Sequence, residues 1–169
     1  MIAKVTLAIL MLAISTPNYA YIVDGLRLNQ PKLLSFAKNK LQNQGTLRQA
    51  KDGSTYLQIA DRYTSELIRQ AARPGFELPK ERPSISVIRE SETPNVKALQ
   101  ELGQTVKFKP IGFYTVVQHD KEYLMMAVEA PELDALRKKY GLSAQPDNHA
   151  FNITIGVRQL VAENELVSP

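Results

Sequence analysis

Hydrophobic and polar residues alternate strictly along two short segments, SISVI at 84–88 and FNITIGV at 151–157. A period of two is typical of a strand that packs one face on the core and turns the other outwards. We therefore predict one strand over 84–88 and another over 150–157. The outward face of each strand carries a small polar pair at positions i and i+2: Ser84 and Ser86 in the first, Asn152 and Thr154 in the second.

Other segments have the periodicity of helices or of longer strands. Amphipathic spacing with proline near the start and glycine after the end predicts helices, which we place from Pro31 to a stop at Gly45, and over 61–72, 94–102 and 131–140. Apolar runs predict further strands over 105–117 and 122–129, joined by a polar turn at 118–121, and a hairpin turn at 51–53. Helices and strands mixed in this order indicate a single α+β domain.

The two alternating strands have similar surroundings in the sequence. Each follows an amphipathic helix and a polar loop that contains proline. Leu67 precedes Ser84 by 17 positions, and Leu136 precedes Asn152 by 16. This spacing suggests two repeated helix–loop–strand units whose polar pairs meet in one cleft. The alternative is a pair of ordinary edge strands with polar outer faces.

The first 20 residues have the composition of a targeting segment. Lys4 is followed by an apolar block over 5–14, and the sequence then becomes polar at 15–17. About ten apolar residues are too few to span a bilayer but suit a secretory signal peptide. We expect residues 1–20 to be a signal peptide and 21–169 a single periplasmic or secreted domain, without a membrane span after cleavage. The alternative is an N-terminal core element of a cytoplasmic protein.

Composition excludes several kinds of site. The 169 residues include no cysteine, so disulfides, cysteine-based zinc sites and thiol nucleophiles are excluded. The histidines, His119 and His149, are not at a metal-ligand spacing, and we expect neither a metal nor a cofactor. A net charge of +4 is compatible with an anionic ligand but does not identify one.

The frames PSISVI and FNITIG resemble the two signature strands of the 2H phosphoesterases, the superfamily of LigT-like RNA ligases and cyclic phosphodiesterases. The resemblance covers residues 61–158 and implies a bilobal α+β fold with a central cleft. The family motif is His-x-Thr/Ser, present twice, with the imidazoles as general acid and base and the hydroxyls on the phosphate oxygens. Ser84 and Asn152 stand at the histidine positions, whereas Ser86 and Thr154 keep the hydroxyl positions.

These replacements lead to the functional hypothesis. Neither serine nor asparagine exchanges a proton near neutral pH, so we expect an exported, catalytically degenerate domain rather than an enzyme, and we assign no catalytic residue. It would bind a phosphate-bearing ligand: a nucleotide, a cyclic nucleotide or an RNA end. Strand parity adds Arg158 to the expected ligand-binding set, which is Ser84, Ser86, Asn152, Thr154 and Arg158. The alternatives are an active cyclic phosphodiesterase with a rearranged acid or base such as His149, and a secreted scaffold for a protein partner.

A few further residues have two interpretations each. Lys107 and Lys109 share a strand face that is either solvated or near a phosphate. Tyr114 and Tyr123 either stack on a base or are half-buried strand tyrosines. His119 is expected to be a solvated turn residue.

Overall fold

The computed structural model describes residues 25–96 and 98–160. The expected signal peptide and the domain boundary at residue 21 lie outside these ranges. Within them the chain forms eight strands and three α-helices, so the predicted α+β class is confirmed.

The strands form two antiparallel sheets of four. The first sheet has the order β1-β6-β7-β8, formed by β1 (Leu26–Leu28), β6 (Lys109–Gln118), β7 (Lys121–Glu129) and β8 (Phe151–Gln159). The second has the order β4-β3-β2-β5, formed by β4 (Ser84–Ile88), β3 (Thr55–Gln58), β2 (Gln44–Gln49) and β5 (Thr105–Lys107). The predicted alternating strands are therefore β4 and β8, which we call the motif strands.

The motif strands lie at the junction of the two sheets. Each is the edge strand of its own sheet, and the two contact one another there. The helices are α1 (Pro31–Lys40), α2 (Arg62–Ala71) and α3 (Pro131–Lys139). Helix α2 precedes β4 in the chain but packs on β8, whereas α3 precedes β8 and packs on β4 and β5. This exchange of helices between two similar units agrees with the predicted repeat and the bilobal architecture.

The main core lies between the helices and the inner faces of both sheets. Six apolar residues of the motif strands enter it: Ile85, Val87 and Ile88 from β4, and Phe151, Ile153 and Ile155 from β8. Val157, near the end of β8, is only half-buried and lies outside this core. A smaller cluster lies apart from this core and contains Tyr114, Ala127 and Ala150. The period of two therefore reports the buried faces correctly except at Ile88, which is buried beside Val87, and at Val157.

Two boundary predictions are wrong for physical reasons. Gly45 does not end α1, which stops at Lys40; it lies inside β2, where a Cβ would be only 2.5 Å from the carbonyl oxygen of Gln58 on β3. The described residues of the segment 94–102 do not form the predicted α-helix; a 3₁₀ turn, Glu90–Asn95, is followed there by irregular chain. Its apolar residues make no common buried face, since Leu99 is buried but Leu102 is 40% exposed.

Candidate functional site

The outward face of β4 presents the first polar pair. Ser84 lies opposite Gln58 of β3, and Ser86 lies opposite Tyr56. Ser84 is half-buried and Ser86 is exposed. Because the intervening Ile85 is fully buried, both hydroxyls are directed away from the core.

The outward face of β8 presents the second pair. Asn152 lies opposite Ala127 of β7, and Thr154 lies opposite Met125. Both polar residues are half-buried. The Thr154 hydroxyl donates a hydrogen bond to Met125 Sδ at 3.4 Å, a weak acceptor that a stronger one, such as a phosphate oxygen, can replace.

One residue of each pair reaches the same cavity. Ser84 and Thr154 both line a space of about 180 Å³ at the junction of the sheets, together with Arg82 and Tyr123. We call this space the motif cavity. Arg82 and Ser84 also line a neighbouring cavity together with Tyr56, so these two residues border both spaces.

Sequence reasoning missed Arg82. It belongs to the polar loop before β4, where no periodicity marks a functional side chain. Its side chain makes no ion pair with any other residue in 25–96 or 98–160. One indication of its role is present in the sequence: Arg82 lies two residues before Ser84, in the loop that ends at β4.

The prediction that Arg158 shares a face with Asn152 and Thr154 is wrong. A β-bulge pairs Thr154 and Gly156 with consecutive residues of β7, so β8 contains one extra residue and its alternation shifts. Gly156 consequently faces α2, where a Cβ would lie 2.6 Å from Ile68 Cδ1.

Beyond the bulge, Arg158 is held by its own contacts. Its Nη2 lies 2.5 Å from Oε2 of Glu122, and its Nε donates to the same oxygen at 2.6 Å. The guanidinium carbon is 4.9 Å from the centre of the Phe76 ring, in a cation–π arrangement. Its charge is thus offset by a carboxylate, and it lies outside the group that lines the motif cavity.

A buried arginine fixes the end of β4. The Arg137 side chain of α3 is fully buried, and its Nη1 donates to the Val87 carbonyl oxygen at 2.5 Å. Its two terminal nitrogens also bind the Glu92 carboxylate, at 2.9 and 2.7 Å. Its Nε donates to the Ser143 carbonyl oxygen at 2.8 Å, in the loop that leads to β8. Arg137 therefore joins the end of one motif strand to the approach of the other.

This cluster also affects ionisation. The hydrogen bonds from Arg137 hold the pKa of the Glu92 carboxyl below its usual value.

A second, exposed ion pair joins Arg89, directly after β4, to Asp147 in the turn before β8. Side-chain contacts outside the cavity thus connect the end of β4 to the segment before β8.

The histidines and lysines considered from the sequence lie elsewhere. His119 is an exposed residue of the β6–β7 turn with φ of 57°, as expected. His149 is half-buried in the loop before β8, so strand parity does not describe its direction. Lys107 is exposed on β5, at the opposite edge of its sheet from β4. Lys109 pairs with Glu129, Nζ to Oε2, at 3.6 Å.

The two tyrosines have different environments. Tyr114 is buried in the smaller apolar cluster, whereas Tyr123 is half-buried and lines the motif cavity. Among the described residues, no group of three or more His, Cys, Asp or Glu side chains could hold a metal ion. Over the same ranges, no helix has the length and apolar character needed to cross a membrane.

Comparison with known proteins agrees with this geometry. Residues 55–160 match the family described as Swiss Army Knife, 2H phosphoesterase domain. Searches of curated proteins and of solved structures gave no match. The matched range contains both motif strands, and it extends over more than half of the chain. The resemblance inferred from PSISVI and FNITIG is therefore confirmed, and the chain belongs to the 2H phosphoesterases.

Proposed function

We propose that this protein is an exported, catalytically degenerate 2H phosphoesterase domain that binds a phosphate-bearing ligand, namely a nucleotide, a cyclic nucleotide or an RNA end. One observation carries the proposal: Ser84 and Thr154, from the two motif strands, line one cavity, and neither histidine position holds a group that titrates near neutral pH. The apolar block at 5–14 supports export to the periplasm or the medium.

The motif cavity offers groups that suit a phosphate. The Ser84 and Thr154 hydroxyls can donate to phosphate oxygens, and Arg82 supplies a guanidinium, which is a bidentate donor to such groups. Ser86 and Asn152 lie on the same outward faces and extend this set along each strand. Arg158 contributes to the wall beside the site rather than to the phosphate.

The same residues argue against turnover. General acid–base catalysis contributes about 10²–10⁴-fold to a rate, and Ser84 and Asn152 exchange no proton near pH 7. Asn152 retains the hydrogen-bonding reach of an imidazole without its proton. In this proposal the domain retains hydroxyls that bind phosphate but lacks the two histidines that would transfer protons.

Isothermal titration calorimetry with inorganic phosphate and 2′,3′-cyclic nucleotides tests binding, and product analysis of the same mixtures tests turnover. We expect binding without turnover. Arg82→Gln and the double variant Ser84→Ala with Thr154→Val should weaken binding about tenfold or more, since each removes hydrogen bonds to a charged group. Arg69→Gln and Ser35→Ala, at exposed positions of α2 and α1, are matched controls.

Two outcomes would contradict the proposal. Metal-independent turnover that survives Ser84→Ala with Asn152→Ala but is lost in His149→Ala would indicate an active phosphodiesterase with a rearranged acid or base. Absence of binding to every phosphate probe would favour a scaffold for a protein partner. Recovery of turnover in the double variant Ser84→His with Asn152→His would support descent from a catalytic domain.

A further inference from the structure

The second sheet has an open edge at β5, on the side away from β4. Among the described strands, only β2 pairs with β5. On that paired side, the Gln104 carbonyl oxygen accepts a hydrogen bond at 2.9 Å and the Phe108 amide donates one at 3.0 Å. In an antiparallel ladder, the residues between such bonded positions turn their N–H and C=O groups to the other edge. Thr105 and Lys107 therefore present backbone donors and acceptors on the open edge.

A cavity of about 230 Å³ lies beside this edge, between the sheet and α3. Its apolar wall is formed by Leu47 and Val106 from the sheet and by Leu133 and Leu136 from the helix. We call this cavity the edge pocket. An apolar cavity of about 150 Å³ is enough to hold a benzene-sized group. The edge pocket therefore has room for one large aliphatic or aromatic side chain.

The rim of the edge pocket does not invite a charged group. Glu101 forms an ion pair with Lys139 and accepts a hydrogen bond from the Tyr140 hydroxyl at 2.7 Å. Glu132, at the start of α3, is exposed to solvent. Burying a charge is costly unless it gains a partner, and the apolar wall offers none. The edge pocket thus favours an uncharged, apolar side chain.

The opposite face of the same edge is basic. The outward residues of β2 and β5 include two cations and no carboxylate: Gln44, Thr46, Arg48, Thr105 and Lys107. Arg48 and Lys107 are exposed and form no ion pair within 25–96 or 98–160. A carboxylate directly across from Lys107 is therefore favoured. A second copy of this basic edge is not, because edge lysines disfavour pairing between like edges.

We propose that β5 and α3 form a docking site for an extended segment of a partner protein, which adds to the second sheet as an antiparallel strand. Directly opposite residues of such a pair point to the same face of the sheet. The partner residue opposite Val106 consequently enters the edge pocket, and the partner residue before it lies opposite Lys107. The recognised segment has an acidic residue followed directly by a large apolar residue. The site does not involve the motif cavity.

NMR titration of the isotope-labelled protein with synthetic peptides tests this docking site. The probe is a blocked heptapeptide of threonines with glutamate at its third position and leucine at its fourth. We expect saturable shifts of the β5 amides with a Kd of about 1 mM or tighter. At near-saturating probe, hydrogen exchange of the Thr105 and Lys107 amides should slow about tenfold, because these amides gain acceptors.

Two altered probes separate the backbone from the side-chain contribution. Replacing the leucine by alanine should weaken binding about tenfold, since it removes the group that fills the edge pocket. Methylating the backbone nitrogens of the glutamate and of the threonine after the leucine should abolish binding, because these two nitrogens face β5 in the added strand.

Variants of the protein test the charge and the pocket. Lys107→Glu should weaken the glutamate probe about fivefold and strengthen a probe with lysine in place of glutamate. Lys32→Glu, exposed on α1, is the matched control and should leave both affinities unchanged. Ala135→Phe, at an exposed position that lines the edge pocket, should fill it and weaken both probes about tenfold. Affinity for inorganic phosphate should be the same in all three variants.

Four outcomes would overturn this proposal. The first is shifts confined to β4 and β8, and the second is equal binding of the methylated probe. The third is a dimer of the unaltered protein, seen by analytical ultracentrifugation and lost in Ala135→Phe, because the occupant would then be a second copy. The fourth is absence of binding up to about 10 mM probe. None of these would affect the proposed function, which the phosphate titrations test separately.

Discussion

The two motif strands share one sequence pattern but are held in place by different interactions. Strand β4 has five residues, and its end is fixed by the buried Arg137 side chain. Strand β8 has nine residues and is held through its backbone, by β7 on one edge and by the bridge to Glu77 on the other. Parity fails at a bulge in both strands: after Ser86 in β4, where Val87 and Ile88 are both buried, and after Thr154 in β8. An alternating pattern thus locates a strand and its buried face, but it identifies outward residues only as far as the first bulge.

Removing the side-chain anchor of β4 should have the largest effect. Arg137→Met leaves the Val87 and Ser143 carbonyls without this donor and breaks a part-buried ion pair with Glu92. Such losses typically cost about 3–5 kcal/mol in the free energy of unfolding. Urea denaturation measures the change, and Arg69→Met, exposed on α2, should stay within about 0.5 kcal/mol. A loss below about 1 kcal/mol would show that Arg137 does not anchor β4.

Disturbing the bulge of β8 should cost less. In Gly156→Val the new side chain meets Ile68 and the Glu77 carbonyl oxygen, which a Cβ would approach to 2.6 and 3.3 Å. Overpacking of this kind costs about 1–3 kcal/mol. The matched change on β4 is Ser86→Val, where an exposed strand residue becomes β-branched and stability should change little. If Gly156→Val and Ser86→Val change the free energy of unfolding equally, Gly156 is not tightly packed against α2.

The fold was largely predictable, and the site only in part. Alternation located β4 and β8 because their two faces have different environments, and it identified the polar pairs for the same reason. It misplaced Arg158, because a bulge depends on tertiary contacts that no local period records. The alternating pattern did not identify Arg82, which lines the motif cavity only because β8 lies close to the loop before β4. Three-residue β1 is too short to show any period.

Acidification should weaken the anchor of β4 through Glu92. The folded protein holds the pKa of this carboxyl below its unfolded value of about 4.5, chiefly through the hydrogen bonds from Arg137. The resulting stabilisation is complete above pH about 4.5 and is lost as the pH falls through the folded pKa. Urea midpoints measured from pH 6 to 3 should therefore decline less steeply in Glu92→Gln than in the unaltered protein. In an Arg137→Met background, Glu92→Gln should have little further effect on this slope; an unchanged difference there would contradict the assigned cause.

The smallest expected effect lies beside β4, at Thr55 of β3. Thr55 lies opposite Ile88 at the end of β4. Its hydroxyl is buried and has no hydrogen-bond partner among the described residues. A buried polar group without a partner costs about 1–3 kcal/mol, and valine has nearly the same shape and suits a strand. Thr55→Val should therefore raise the free energy of unfolding by about 1 kcal/mol. Thr154→Val on β8 is the comparison, because its hydroxyl donates to Met125 Sδ, so we expect no gain. If both valine variants gain equally, the Thr154 hydrogen bond contributes nothing to stability, and the contrast between buried Thr55 and half-buried Thr154 fails.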